Sequence, residues 1–229
     1  MSIAGNIAQT EECILNACQR SGRRREEICL MGVTKFHPLQ AVTEAWNAGL
    51  RCFGESRVQE AAEKFSGKRA GYEGMELHLI GSLQRNKVKA AVSLFDCIQS
   101  VDRKSLIPEL AKQTAGREFP LPVLLEYRTG EDSKSGFTGT DDLFKAADLL
   151  CSCPSLRIRG LMTMAPNTSE EKPLRLAFRQ LMKVREELIK RFPQAGSCIS
   201  MGMSGDFEIA VEEGSTLLRI GSAIFGEKA

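Results

Sequence analysis

Eight short apolar runs, nearly all of them separated by a stretch with helical spacing, constrain this chain of 229 residues more than any other feature. The runs are "CLMGVTK", "LRCFG", "ELHLIG", "DCIQSV", "LPVLLEYR", "LRIRGLMTM", "SCISMGM" and "STLLRIG". Between them lie "LQAVTEAWNAG", which stops at Gly49, then "ESRVQEAAEKF", "LQRNKVKAAVSLF" and "DRKSLIPELAKQTAG". "DDLFKAADLLC", the long "LRLAFRQLMKVREELIKRF" and "DFEIAVEEG" continue the pattern. Their apolar spacing predicts helices, and Pro108 is expected near the start of its helix or at a kink. Ile3, Ile7, Ile14 and Leu15 give residues 2–20 an amphipathic opening helix. Strands that alternate with helices pair in parallel through right-handed crossovers. Eight such units in a chain of this length predict a single TIM-type (β/α)8 barrel with an extra N-terminal helix, one domain over 1–229. A doubly wound open sheet is the competing architecture, and its dinucleotide version lacks the expected GxGxxG after the first strand.

Composition narrows the function classes. Hydrophobic residues make up 42% and charged residues 26%, and the net charge of +2 gives no polyanion-binding surface, so no nucleic-acid partner is expected. The basic "GRRREE" at 22–27 carries its own glutamates and reads as a solvated turn. The eight cysteines include no CxxC pair, and several sit in apolar runs as small hydrophobes, so neither disulfides nor a metal site is expected. No charged-then-apolar leader or membrane-length apolar stretch is seen, which points to a reduced, cytoplasmic protein.

In a barrel of this kind, chemistry gathers at the C-terminal ends of the strands. The first strand delivers Lys35 there, although a buried isolated ammonium costs several kcal/mol or sheds its proton. The seventh strand end, "GMSGD", offers the Ser204 hydroxyl and flexible backbone. The eighth, "IGSAIFG", offers Gly221, Ser222 and the amides of a short helix. Glycine-rich turns at these two strand ends often hold a phosphate, because unsatisfied helix-start N–H groups favour an anion. Arg219 precedes them, and strand alternation alone does not decide whether it faces outward or into the barrel mouth. A lysine able to form a Schiff base, a phosphate cradle and an arginine for a ring nitrogen together suggest pyridoxal 5'-phosphate (PLP). A phosphate-sugar or nucleotide binder would use the same cradle without a reactive Lys35.

The motifs "GVTKFHP", "FGESRVQE", "HLIGSLQRNK", "GLMTMAP" and "SMGMSGDFEIAVEEGSTLLRIGSAIFG" resemble the pyridoxal-phosphate homeostasis protein family from about residue 30 onward. That family is related to the N-terminal barrel of alanine racemase. The resemblance implies a cofactor carrier that supplies or buffers the vitamin B6 pool, with no established catalytic activity and with apo-enzymes as possible recipients. It implies that Lys35 forms the Schiff base, that Ser204, Gly221 and Ser222 hold the phosphate, and that Arg219 faces the pyridine nitrogen. Ser56 and Met203 complete the implied cofactor-binding set. The chain departs from the family pattern in three places. Ser56 stands where asparagine is usual, Ser222 replaces threonine, and Glu126 and Tyr127 replace a "VN" pair, while "SKSGF" is retained.

Arginine stays protonated, so it can only donate to the pyridine nitrogen and leaves the ring a weak electron sink. The related racemases compensate with a second base, commonly a tyrosine from an additional domain and subunit. Here Tyr127 is the tyrosine expected within reach of the mouth, and Tyr72 falls in a polar loop expected to be exposed. His37 reads as a loop-surface residue. His78 alternates with Leu77 and Leu79 and reads as a satisfied core histidine. No catalytic residue and no metal ligand is assigned, and a monomer is expected. A weak racemase or lyase is the alternative.

Overall fold

A computed structural model of the protein describes residues 2–132 and 134–226. Ser133 of the "SKSGF" run and the outermost residues of the expected 1–229 domain lie outside the described residues. Helix α1 (Ile3–Ser21) begins where the Ser2 hydroxyl accepts from the Gly5 amide and ends where Gly22 turns left-handed at φ 66°. Then follow β1 (Cys29–Val33), α2 (Leu39–Asn47), β2 (Cys52–Glu55), α3 (Val58–Phe65), β3 (Glu76–Leu79), α4 (Val88–Leu94) and β4 (Cys97–Val101). The second half comprises α5 (Ile107–Thr114), β5 (Leu121–Glu126), α6 (Thr140–Cys151), β6 (Leu156–Met162) and α7 (Glu171–Arg191). It closes with β7 (Cys198–Ser200), α8 (Phe207–Glu212), β8 (Leu217–Ile220) and the short α9 (Ser222–Phe225). Pro108 lies in the first turn of α5, where its missing N–H breaks no helical hydrogen bond.

The strands close in chain order from β1 to β8, with β8 returning to β1 and every pair parallel. This is a TIM-type (β/α)8 barrel with α1 as an addition before the first strand. The outward strand faces and the inner helix faces share one large apolar cluster that includes Phe53, Leu77, Ile98, Val123, Leu161 and Phe178. Two smaller clusters fill the barrel, one around Met31, Cys52 and Leu217, the other around Cys97, Leu124 and Met162. Neighbouring backbones approach closely at Gly160, at φ 152°, where a Cβ would lie 1.9 Å from the Cys198 carbonyl oxygen. Only glycine fits there.

The 22–27 segment corrects one expectation. Gly22 reverses the chain, so Arg23 and Arg25 fold back onto the protein instead of standing in solvent. Arg23 Nη1 donates to the carbonyls of Val211 and Ser215, each at 2.7 Å. Arg25 grips Glu11 with two bonds of 2.6 and 2.7 Å. The basic run fastens α1 to the barrel.

Candidate functional site

A cavity of about 790 Å³ opens at the C-terminal ends of the strands. Lys35, Ser56, Met203, Ser204, Arg219, Gly221 and Ser222 all line it, so the seven residues expected at a cofactor site face one space. Its apolar wall comes from Val33, Ile80, Met162 and Met164. That size and mixture suit a small ring-bearing ligand with one charged end.

The turn that carries Lys35 is braced from below. Thr34 is fully buried, and its hydroxyl donates to Glu55 Oε1 at 2.7 Å. Lys64, on α3, donates to the Thr34 carbonyl at 2.8 Å and to Glu55 Oε1 at 2.6 Å. The Phe36 amide donates to Glu60 Oε1 at 2.5 Å, and Phe36 itself sits in the left-handed region at φ 67°. Burial pushes the Glu55 carboxyl up, and its bonds to Lys64 and Thr34 pull it back down. Glu55, Glu60 and Lys64 were not anticipated. A signal existed in "FGESRVQEAAEKF", where Glu60 and Lys64 are spaced i, i+4 behind a strand-end glutamate.

On the far wall, the Ser204 hydroxyl oxygen accepts from the Gly221 amide at 3.3 Å and the Ala223 amide at 3.2 Å. Two backbone donors therefore converge on one oxygen at the start of α9, an arrangement that suits a phosphate oxygen. The Asp206 carboxylate shapes the loop before it by accepting from the Met203 amide at 2.5 Å. Gly202 turns that loop at φ 95°, and a Cβ there would meet Ala210 and Leu218 within 3 Å.

Arg219 points into the barrel, which settles the face that periodicity left open. It is 4% exposed and donates to Ser200 Oγ and to the Thr163 carbonyl, each at 2.7 Å. Burial lowers its pKa to about 10, while Asp206 and Glu126 work in the opposite direction, so it stays charged at neutral pH. Its partners continue inward. Ser200 Oγ donates to Gln99 Oε1 at 2.6 Å, Gln99 Nε2 lies 2.8 Å from His78 Nδ1, and His78 Nε2 lies 3.0 Å from Glu76. His78 is thus the satisfied core histidine expected.

Three aromatic residues depart from expectation. Tyr127 is buried in the outer cluster, with its hydroxyl 3.4 Å from Gln180 on α7, because its side chain leaves β5 on the face opposite the barrel interior. Tyr72 is half-buried, packed edge-on against Trp46 at 5.8 Å with its hydroxyl 2.7 Å from Thr43 Oγ1. His37 is half-buried at the cavity rim, its ring 5.3 Å from that of Phe225, and burial keeps it below the usual histidine range.

Glu126 is a buried residue that the motifs did not assign. Ser135, on the cavity wall, donates to Glu126 Oε1 at 2.6 Å, and Oε2 has no hydrogen-bond partner among the described residues. Burial pushes its pKa up to about 7, opposed by Ser135 and by the positive charge of Arg219.

A family model described as "Alanine racemase, N-terminal domain" matches residues 15–229. A pyridoxal phosphate homeostasis protein of Vibrio cholerae is 39% identical over 99% of this chain and 97% of its own. The chain belongs to the pyridoxal phosphate homeostasis protein family. PipY of Synechococcus elongatus, solved with PLP bound, is 33% identical to this member of the family, with a TM-score of 0.84 over 98% of this chain and 100% of that one. Alanine racemase of E. faecalis, at 16% identity and a TM-score of 0.73, shares the fold, and this chain covers 59% of it. No described helix of this family member is long and apolar enough to cross a membrane.

Proposed function

We propose that this chain binds pyridoxal 5'-phosphate at Lys35 and takes part in intracellular vitamin B6 homeostasis without strong catalytic activity. The observation that carries this reading is the convergence of Lys35, Arg219 and Ser204, with the amides bound to it, on one cavity. The donor set fits the group. Lys35 supplies the amine for an aldehyde, and the Gly221 and Ala223 amides with Ser204 and Ser222 supply phosphate donors. Arg219 supplies a charged donor for a ring nitrogen, and Ser56 and Met203 bound the ring's space. When bound, the cofactor contributes an aldehyde that captures amines and a ring that accepts electrons.

The residues favour holding over turnover. Arg219 keeps its proton, so it donates to the ring nitrogen and leaves that nitrogen unprotonated. Among the described residues no tyrosine lines the cavity, which leaves a racemase without the usual second base. These features favour a carrier, and the reading extends to a cytoplasmic monomer whose recipients are PLP-dependent apo-enzymes. The test is an absorption spectrum of the purified protein and of Lys35→Ala, with borohydride reduction and peptide mass spectrometry. A visible band that disappears on substitution, with the cofactor mass fixed on Lys35, is the expected result. A colourless protein that takes up no PLP on incubation overturns the assignment.

A further inference from the structure

At the barrel's other end, far along the strands from the cofactor cavity, the interior carries a different chemistry. Cys52 opens β2, Glu76 opens β3 directly beside it in register, and His78 follows two residues later on the same face. Cys52 Sγ lies 3.9 Å from His78 Nε2, which lies 3.0 Å from Glu76 Oε2. One ligand atom from each residue fits within a mutual separation of 4.8 Å. Cys29 opens β1 and packs against the small interior cluster that contains Cys52. A thiol, an imidazole and a carboxylate from two adjacent strands converge there, with a second thiol beside them on the next strand.

We propose that this floor cluster binds a thiophilic divalent transition metal, zinc foremost, through Cys52, Glu76 and His78 with Cys29 as the fourth ligand. Tetrahedral zinc, with Zn–S about 2.3 Å and Zn–N about 2.0 Å, sets neighbouring ligand atoms about 3.3–3.8 Å apart. The observed 3.0 and 3.9 Å bracket that range, and the three ligand atoms all lie within 4.8 Å of one another, so side-chain shifts of about an ångström would close the three-residue set. A disulfide fits less well. Cys52 pairs with Met31, so Cys29 lies two residues back toward the start of the neighbouring strand, a Cα diagonal of roughly 8 Å from strand spacing and rise, beyond disulfide reach.

The charges also balance. On binding, each thiol releases a proton to solvent, and two thiolates with one carboxylate exceed the dication by one negative charge. Arg159, 3.1 Å from Glu76 Oε2, neutralises that excess from just outside the ligand set. Nε2 binding places the imidazole proton on Nδ1, which donates to Gln99 once that amide turns its oxygen toward the ring and its NH2 toward Ser200 Oγ, and this bond orients the ligating imidazole. An entry path exists, because the Glu76 side chain is 52% exposed and Cys29 lines a cleft at the barrel floor.

The test uses the full chain, with and without PLP, reduced and stripped by chelator, then titrated with Co²⁺ and back-titrated with Zn²⁺. Retained metal is counted by mass spectrometry after gel filtration. The expected result is one equivalent of Co²⁺ with thiolate charge-transfer and four-coordinate visible bands, displaced by Zn²⁺. Cys52→Ser and Glu76→Gln each weaken binding at least about tenfold, while Cys151→Ser, an exposed thiol elsewhere, leaves it intact. Circular dichroism of each variant separates lost binding from lost fold. Absence of retained metal in the folded wild-type chain overturns the proposal, as do thiolate bands that keep their full intensity in Cys52→Ser or persist in the double variant Cys29→Ser with Cys52→Ser.

Discussion

A carboxyl group sealed from water with one oxygen unpartnered lowers its cost by holding a proton, and Glu126 does so up to a pH of about 7. The folded chain then binds more protons than the unfolded chain between the ordinary glutamate pKa, about 4.3, and about 7. Stability from this group is therefore fully present below the lower value and is lost as pH rises through the upper one. Glu126→Gln cannot ionise and should be the more stable protein at pH 8, by about 1–3 kcal/mol, with the advantage vanishing near pH 4.5. Thermal unfolding of both proteins across that pH range checks it, and parallel pH profiles would show that Glu126 is not the titrating group. The residue scale is also where the sequence was least legible. Alternation could not choose a face for Arg219 and gave no warning that Tyr127 turns outward while Glu126 is buried, because side-chain direction depends on bulges such as the register shift between Val123 and Leu124.

At the scale of elements, the turn after β1 and the turn before α9 hold the two ends of the cavity, and each rests on a contact that can be removed. Lys64→Ala leaves the buried Glu55 without its ion-pair partner, at a cost of about 3–5 kcal/mol. The double change Lys64→Met with Glu55→Leu should recover most of that, measured by chemical denaturation, because the penalty comes from an unpaired charge rather than lost packing. If the single change is neutral, the Lys35 turn is held by other contacts. Ser204→Ala should weaken PLP binding about 10–100-fold, the worth of one hydrogen bond to a charged group, while leaving the affinity for phosphate-free pyridoxal unchanged. Equal losses for both ligands would place Ser204 away from the phosphate. Strand order and the lysine and glycine-serine ends were readable from alternation, because a barrel gathers every strand end on one rim. The Glu55–Lys64 brace was not, since it depends on how α3 leans back across β2.

Across the whole molecule, a polar chain runs through the barrel from Glu76 at the floor through His78, Gln99 and Ser200 to Arg219 at the mouth. Its members come from β3, β4, β7 and β8, so no local motif contains it. Only the closure of β8 onto β1 and the register of each strand pair bring the groups into contact. The same dependence hid the floor cluster, in which Cys52 and Glu76 meet as cross-strand partners 24 residues apart in sequence. A chain of this kind stabilises the barrel only when every link is satisfied, since each orphaned buried group costs about 1–3 kcal/mol. Gln99 is the central link, donating toward His78 with one end and accepting from Ser200 with the other. Gln99→Leu keeps the volume but orphans a group on each side, so Tm should fall by about 5–15 °C for a chain of this size. PLP affinity should fall too, because Ser200 is one of two groups that aim the Arg219 guanidinium. Arg219 also bonds the Thr163 carbonyl, so that loss should be smaller than the loss in Arg219→Ala, measured by the same PLP titration. An unchanged Tm in Gln99→Leu would mean that His78 and Ser200 find other partners and that the floor and mouth of the barrel are independent.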